Sequence, residues 1–366
     1  MKGLESPLER VVKVMFPPDE MKTYCLVVGG GALGLLLADA LQKSEQSVRG
    51  RMNVGVMNRS RLPAQILMRN LTSGKNEILG LAAFHESPSD WLNRPQLATA
   101  SKLVLFFCVP PEQTEKVFLQ WINSIGQENC RVPVEFVFCN NGLLSKKILD
   151  HVGSDSNKYS YQRAIFLVGA ERRVSVDLCE IDWKGGETVY WGSLSALSQA
   201  GVPSQPEWLS NFTSSSQTSS PAANSVLAYL KWFHHPHILC VERAKFFTNF
   251  MLAALIGPRI EKNGRILEIS TSEFRHSLAK QFSKLWNGLG VTSDFLLENL
   301  SATVAATSEN HNSLSLQGVR GSNDTMKHFI QIIENEITEN RMANQLPGLC
   351  EFIRATKKVW GLLNDK

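Results

Sequence analysis

The chain has 366 residues, of which 43% are hydrophobic and 20% are charged, and its formal net charge is +4. This composition predicts a globular protein with enough apolar residues for two domains. Basic residues form only short clusters, such as Arg172-Arg173, which argues against a nucleic-acid-binding face. The seven cysteines form no CxxC pair, so we expect neither a disulfide framework nor a structural zinc site. The same cysteine usage predicts a cytoplasmic protein.

The apolar run from Cys25 to Leu41 is the segment that most resembles a membrane span. It contains three consecutive glycines and then Asp39, and it is shorter than the ~20 apolar residues that a spanning helix needs. We interpret the run as a buried strand, a glycine turn and a buried helix, and we expect no membrane association.

Residues 1–20 are interpreted as an N-terminal extension. From Thr23 onward, apolar strands alternate with helical patterns, which is typical of a mostly parallel sheet covered on both faces. Helices are predicted at Ala32–Lys43 and Glu112–Ile125. The predicted strands are Thr23–Val28, Asn53–Met57, Lys102–Cys108 and Val134–Cys139, with Ala164–Val168 and Glu187–Trp191 as possible additions to the same sheet.

The pattern changes after about His237. Residues 204–221 are rich in Ser, Thr, Gln and Pro and are predicted to form a flexible loop. Long helical patterns then follow, at Leu239–Leu255, Ser272–Leu289, Asp294–Ala306, Thr325–Ile337 and Leu349–Leu362. The predicted fold class is α/β: a doubly wound Rossmann-type domain (residues 21–237), then an all-α domain (residues 238–366).

A glycine-rich motif follows the first predicted strand. Gly29, Gly31 and Gly34 form a GxGxxG pattern, in which the glycines permit a tight turn, close approach of a pyrophosphate and close helix packing. The amides of Ala32 and Leu33 would then meet the phosphate charge at the helix N-terminus. The alternative is a glycine-rich turn in another α/β fold.

The end of the second predicted strand bears on the choice of cofactor. NAD enzymes usually carry Asp or Glu there, whereas this chain has Asn58-Arg59-Ser60-Arg61. A guanidinium suits a 2′-phosphate, so Asn58 and Arg59 favour NADPH over NADH. Arg59 and Arg61 as ordinary surface cations are the alternative.

Lys245 and Asn249 are four residues apart on a predicted helix that is otherwise apolar, so both project from one face. A lysine on a largely buried helix is costly unless it is paired or used. Lys245 would be suited to protonating a carbonyl oxygen, with Asn249 as a hydrogen-bonding partner of the substrate. Alternatively, Lys245 extends to the surface and Asn249 caps a backbone group.

Over about residues 22–340 the chain resembles the ketopantoate reductases (2-dehydropantoate 2-reductases). The segments that carry the resemblance are Gly29–Gly34, Asn58-Arg59, Cys139–Leu143, Trp183–Gly186 and Glu242–Asn249. The resemblance implies NADPH-dependent reduction of a small 2-oxo acid in pantothenate biosynthesis, with Lys245 as general acid and Asn249 binding substrate.

Further site residues are implied by the same resemblance. Asn141 would lie near the nicotinamide ribose, and Ser322 would bind the substrate carboxylate. Glu334 would be the acidic substrate-binding residue, with Glu336 as the competing candidate. The resemblance also implies that the first domain binds NADP and that the helical domain binds substrate and forms a homodimer.

Three departures from the family pattern concern the substrate. The family's Gly-Arg-x-Thr-Glu run before the acidic residue is not recognisable around Gln331–Glu334. Ala253 stands where the family helix usually has a second Asn, and Cys108-Val109-Pro110 stands where a Lys is usual after the third predicted strand. Loss of a hydrogen-bonding group in a pocket relaxes discrimination for a hydroxyl. Two other functions stay open: an NADP-linked hydroxy-acid or opine-type dehydrogenase, and an NADPH-binding sensor without turnover. His234-His235-Pro236-His237 lacks partners at ligand spacing, so no metal site is predicted.

Overall fold

The computed structural model describes residues 22–44, 50, 52–63, 65–128, 130–155, 157–194 and 230–363. The predicted N-terminal extension and the predicted loop at residues 204–221 lie outside these residues. The chain divides into two compact units. The first takes its described residues from Met1–Val109, Gln113–Asn140 and Lys147–Pro236, and the second consists of Pro110–Glu112, Asn141–Lys146 and His237–Lys366. The two-domain assignment with boundaries at residues 21–237 and 238–366 stays a prediction.

The first unit is built on one mixed sheet of ten strands among the described residues. In chain order these strands are β1 (Lys22–Val28), β2 (Met52–Met57), β3 (Gln65–Asn70), β4 (Lys75–Ile78), β5 (Ala82–Phe84), β6 (Ala100–Phe107), β7 (Val134–Phe138), β8 (Ser160–Val174), β9 (Leu178–Ser193) and β10 (Lys231–His234).

Six of these strands form the parallel core of the sheet. They lie in the order β5-β2-β1-β6-β7-β8, each parallel to its neighbour. Numbered along the chain, this is the order 3-2-1-4-5-6 of a dinucleotide-binding Rossmann fold. The α/β Rossmann prediction is therefore confirmed. The predicted strands that correspond to β1, β2, β6 and β7 are found within a residue or two, β8 and β9 are much longer than predicted, and β3, β4, β5 and β10 are additional.

Helix α1 (Ala32–Gln42) follows the glycine turn and is buried on all sides. Residues 34–41 are buried without a gap. Beside the parallel strands β1 and β2, α1 also contacts β8 and β9, which pair antiparallel as a long hairpin. Apolar residues of β3 and β9 belong to the same core as α1. A helix that is apolar on every side is stable only when it is covered on every side, and here β1 and β2 as well as β8 and β9 cover α1.

The β8–β9 hairpin is irregular midway along its length. The pairing register shifts between Leu167 and Ala170, opposite Gly185 and Gly186, which both have positive φ. A Cβ on Gly186 would lie 2.2 Å from the carbonyl oxygen of Leu167, so only glycine fits there. Trp183 Nε1 donates to the Gly186 carbonyl at 3.0 Å. In the structure, the Trp183–Gly186 segment of the family resemblance forms this bulge.

The other face of the parallel strands carries an aromatic cluster. Helix α2 (Pro88–Leu92) precedes β6, and α3 (Pro111–Gln127) and α4 (Lys146–Asp155) flank β7 in the chain. Phe118 of α3 packs edge-on against Phe107, Phe136 and Phe138 of β6 and β7. The sheet is thus covered on both faces, as a parallel sheet requires.

The second unit is helical. Its main helices are α5 (Ile238–Ile256), α6 (Ile266–Ile269), α7 (Ser272–Leu285), α8 (Ser293–Thr307), α9 (Ser313–Val319), α10 (Asp324–Glu339) and α11 (Pro347–Val359). Apolar residues of these helices form a core separate from that of the sheet unit, and Leu143 joins it. In the part of the chain that the structure describes, none of the helices combines the length and apolarity needed to cross a membrane.

Candidate functional site

The glycine turn joins β1 to α1 at the carboxyl edge of the parallel strands. Gly29 has φ +115, and a Cβ there would lie 2.9 Å from the backbone of Cys108 and Val109. A Cβ on Gly34 would lie 2.0 Å from the carbonyl oxygen of Gly29. Both positions require glycine, the first for a left-handed turn and the last for close helix packing.

Gly31 differs from its neighbours because its surroundings are open. A Cβ at this position would meet no described atom within 4 Å. Gly31 is also the N-cap of α1, and no side chain of the described residues caps this helix. The amides of Gly31, Ala32 and Leu33 are therefore suited to binding an anion at a helix N-terminus. A dinucleotide pyrophosphate fits this open, uncapped turn.

Asn58 connects the end of β2 to the glycine turn. Its side-chain oxygen accepts from the Gly30 amide at 3.1 Å, and its Nδ2 donates to the Ser60 carbonyl at 2.8 Å. Asn58 therefore fixes the turn as well as the loop that follows it. Arg59 and Arg61 in that loop are exposed, and neither makes an ion pair with another described residue.

The second group of predicted site residues lies in the helical unit. Lys245 Nζ donates to Asn141 Oδ1 at 2.7 Å, which joins two residues that are 104 positions apart in the sequence. Among residues 241–254 only Lys245 and Asn249 are not buried. The i, i+4 spacing therefore leaves one accessible stripe on α5, with an ammonium group and a carboxamide along it.

The stripe ends before Ala253, which is fully buried in the core of the helical unit. Ala253 is the position at which the family pattern has a second Asn. A larger polar residue here would need both space and a hydrogen-bonding partner within an apolar core. The alanine that departs from the family pattern therefore fits the tightly packed apolar core around it.

A buried network of charged side chains surrounds the Lys245 turn of α5. Glu242, only 2% exposed, accepts from the Leu144 amide at 3.3 Å and from Arg243 Nη1 at 2.9 Å. Arg243 Nη2 also donates to Glu336 Oε1 at 3.1 Å, and Trp286 Nε1 donates to Glu336 Oε2 at 2.7 Å. Because Leu144 belongs to the segment Asn141–Lys146, this network ties α5 to the segment that carries Asn141.

Gly142 completes the packing of that segment. It has φ +100, and a Cβ would lie 2.9 Å from the Phe329 ring and 3.1 Å from Pro111. The Asn141-Gly142 dipeptide is thus a required turn as well as the site of a Lys245 hydrogen bond. Asn141 was predicted as a cofactor-binding residue, and that assignment stays a prediction.

The remaining predicted substrate residues lie elsewhere in the helical unit and have hydrogen-bonding partners of their own. Ser322 is exposed in the turn after α9, where its amide donates to the Gln317 carbonyl at 3.0 Å. Glu334 accepts from Lys357 Nζ at 2.6 and 2.8 Å. Its competitor Glu336 is the carboxylate that binds Arg243, two residues before Lys245. Both roles stay predictions.

Three charged residues near these sites were missed as functional candidates. Arg172 donates to the Gly30 carbonyl. Arg163, 1% exposed, donates to the carbonyls of Phe138 and Asn140 at 2.7 and 2.9 Å and so fixes the end of β7. The third is Arg243. A charged residue within an apolar run was the available signal for Arg163 and Arg243, whereas Arg172 appeared as part of a short surface cluster.

Metal ligation has no support in the geometry. Within the described residues no three or more His, Cys, Asp or Glu side chains converge as a metal site. The seven cysteines are free thiols. Burial raises the pKa of the Cys108 thiol at the glycine turn, and its hydrogen bond and charge interaction with Cys139 act in the same direction.

Comparison with known proteins finds solved structures that share this fold. No protein-family model and no curated protein matches the sequence. A dimeric ketopantoate reductase from Staphylococcus aureus superposes with a TM-score of 0.58 at 11% identity, over 92% of this chain and 99% of that one. A 2-dehydropantoate 2-reductase from Porphyromonas gingivalis gives 0.54 at 11% identity, over 91% and 99%.

A D-mandelate dehydrogenase with bound NADH and anilino(oxo)acetate gives a TM-score of 0.61 at 11% identity, over 92% of this chain and 98% of that one. The chain therefore has the two-part fold shared by ketopantoate reductases and this dehydrogenase. The resemblance found in the sequence is confirmed at the level of the fold.

Proposed function

We propose that this protein is an NADPH-dependent reductase of a small 2-oxo acid, of the ketopantoate reductase type. The observation that carries the proposal is the Lys245–Asn141 hydrogen bond on the accessible stripe of α5, with Asn249 one turn away. An ammonium group next to carboxamides suits the reduction of a carbonyl, because a proton donor and hydrogen-bonding groups are held together. The shared fold supports the same class of reaction.

The glycine turn is the proposed cofactor site. Gly31, Ala32 and Leu33 would bind the pyrophosphate through backbone amides, while Gly29 and Gly34 give the turn its shape. Asn58 and Arg59 would bind the adenosine ribose and its 2′-phosphate. When bound, the reduced nicotinamide supplies a hydride to the carbonyl carbon of the substrate.

Lys245 is the proposed general acid. Its Nζ would donate a proton to the carbonyl oxygen as the C=O group becomes CH–OH, and the neutral amine would regain a proton from solvent. Asn141 orients the ammonium group through the 2.7 Å hydrogen bond. Asn249 would donate its amide hydrogen to the substrate. Ser322 would bind the carboxylate, and Glu334, or Glu336 in its place, would accept from a substrate hydroxyl.

Ketopantoate itself is the first substrate to test, and the buried Ala253 is the reason to test others. With no polar side chain at that position, the site offers one fewer hydrogen bond to a substrate hydroxyl. A pantothenate-pathway role, a cytoplasmic location and a homodimer belong to the same proposal. The dimeric state of the Staphylococcus aureus protein supports the last of these.

A second candidate is reduction of another 2-oxo acid with NADH. The similarity to D-mandelate dehydrogenase, a protein crystallised with NADH and an oxo acid, favours it. A sensor that binds NADPH without turnover is the third possibility, and Lys245 distinguishes it from the other two.

The test is NADPH or NADH oxidation, followed by absorbance, with a panel of 2-oxo acids that includes ketopantoate. We expect Lys245→Met to lower turnover by about a hundredfold or more, since general acid catalysis contributes about 10²–10⁴. Its affinity for NADPH, measured by fluorescence titration, should stay within about twofold. Lys280→Met, which removes an exposed lysine of α7, is the matched control and should retain full turnover.

Each outcome assigns a different function. Turnover of ketopantoate alone supports the ketopantoate reductase activity, and turnover of another acid keeps the mechanism with a new substrate. Faster turnover with NADH favours the second candidate. Cofactor binding without turnover of any acid by the wild-type protein would contradict the proposal and support the sensor.

A further inference from the structure

Gly30 is held on both of its backbone polar groups. Asn58 accepts from its amide at 3.1 Å, and Arg172 donates from Nη1 to its carbonyl. Arg172 lies 142 positions away in the sequence, on β8. The β8–β9 hairpin therefore brings a guanidinium group to the glycine turn, at the residue whose amide donates to Asn58.

Neighbouring cations form ion pairs with described carboxylates, and Arg172 forms none with the described residues. Arg173 binds Asp182, Arg69 binds Glu180 and Asp182, and Lys184 binds Glu171 at 2.7 Å. Within the described residues Arg172 has no carboxylate within ion-pair distance, and its only described bond is to a neutral carbonyl. Its remaining guanidinium N–H groups are therefore suited to a doubly charged oxygen-rich ligand.

We infer that Arg172 is a specificity-determining residue for the 2′-phosphate of the adenosine ribose. In a Rossmann fold this ribose binds at the end of the second strand, and the pyrophosphate binds at the helix N-terminus. Arg172 reaches the turn at Gly30, the residue whose amide donates to Asn58, before the helix begins at Ala32. The inference rests on the proposed use of NADPH.

Two arginines then serve the phosphate from different parts of the chain. Arg59 follows Asn58 directly at the end of β2, and Arg172 comes from the hairpin. Planar guanidinium groups bind phosphate oxygens through paired N–H donors, which lysine cannot reproduce.

The test compares two probes that lack nicotinamide: adenosine 2′,5′-bisphosphate and adenosine 5′-monophosphate. For Arg172→Gln we expect the affinity for the bisphosphate to fall at least tenfold, as for loss of a charge-assisted hydrogen bond. The affinity for the monophosphate should change less than twofold. Arg172→Lys should fall between the wild type and Arg172→Gln. Binding is measured by calorimetry on the full chain.

Arg173→Gln is the matched control, because it removes the neighbouring guanidinium while Asp182 keeps Arg69. It should leave the affinity for both probes unchanged. An equal loss for both probes in Arg172→Gln would show that Arg172 only holds the turn, and no loss for either would also overturn the inference. If the wild-type protein binds neither NADPH nor NADH, the proposed function fails as well. If it binds NADPH and Arg172→Gln binds equally well, only this inference fails.

Discussion

The glycines of the turn serve different physical purposes, and alanine substitutions should separate them. At Gly34 an added methyl group meets a backbone oxygen at 2.0 Å, which no side-chain movement can relieve. We therefore expect Gly34→Ala to lower the free energy of unfolding by about 3 kcal/mol or more. At Gly31 the methyl group enters open space, and φ is −71. Gly31→Ala should cost no more than about 1 kcal/mol, the difference between these residues at an N-cap.

Gly31→Ala should have a small effect on stability but a large effect on the affinity for NADPH. In Gly31→Ala the methyl group occupies space that the pyrophosphate needs, so the affinity for NADPH should fall at least tenfold in a folded protein. Urea unfolding followed by circular dichroism and a fluorescence titration with NADPH measure the two effects. Gly126→Ala, at a glycine of α3 whose Cβ would also meet no atom within 4 Å, changes a site outside the turn and is a control for the titration. A stable Gly31→Ala protein with wild-type affinity would contradict the assigned site.

At the scale of residues, the sequence predicted site residues that are close together in the chain. Lys245 and Asn249 are four apart on one helix, so helix periodicity alone places them on one face. Asn141 was associated with them by resemblance, and the structure adds a hydrogen bond to Lys245. Arg172 could not be found in this way, because its contact with Gly30 depends on the course of a hairpin across 142 positions.

At the scale of elements, α5 is unusual because a buried ion pair lies within an apolar helix. Arg243 is 5% exposed and lies between the carboxylates of Glu242 and Glu336. Removing one member of a buried charge group leaves the others uncompensated, which costs about 3–5 kcal/mol. Arg243→Met should therefore destabilise the helical unit by about this amount. It should also lower turnover, because the network ties α5 to the segment that carries Asn141.

A second substitution tests this explanation. In Arg243→Met combined with Glu336→Gln, one uncompensated carboxylate is removed while Trp286 Nε1 keeps an acceptor. The double variant should recover part of the lost stability in urea unfolding. Lys262→Met, which breaks the exposed Lys262–Glu309 pair, is the control and should have little effect. Equal stability of the single and double variants would contradict the charge argument.

The elements that the sequence predicted well are those with continuous apolar runs. Strands β1, β6 and β7 and helices α5, α8 and α10 lie within a few residues of their predicted bounds. Strand β4 is exposed along its whole length and β5 has three residues, so neither has a readable alternation. The hairpin strands β8 and β9 were predicted only in their apolar thirds. Their other ends carry charged residues, and the pairing of β9 with β3 there is nonlocal.

At the scale of the whole molecule, the described residues of each unit include an extended apolar core of their own. The glycine turn and α1 belong to the sheet unit. Lys245, Asn141 and the buried charge network belong to the helical unit. Composition and the change of pattern near His237 predicted an α/β part followed by an all-α part. The assignment of Asn141–Lys146 to the helical unit follows from tertiary packing and has no local signal.

Because the glycine turn belongs to the sheet unit, binding of the dinucleotide should stabilise that unit. At a free NADPH concentration a hundredfold above Kd, linkage stabilises the folded state by about 2.7 kcal/mol, which corresponds to a Tm increase of about 5–10 °C. NADH at the same concentration should give a smaller shift. Hydrogen exchange should slow at the start of α1, because its first-turn amides would donate to the pyrophosphate.

The same exchange experiment contains its own controls. Amides of α8 in the helical unit should keep their exchange rates with NADPH, and in Gly31→Ala the slowing at α1 should disappear. Slowing confined to the helical unit would mean that the dinucleotide binds away from the glycine turn. Because that turn carries the cofactor assignment, both the NADPH site and the role of Arg172 would then be wrong. The hydrogen bond between Lys245 and Asn141 would still need a function of its own.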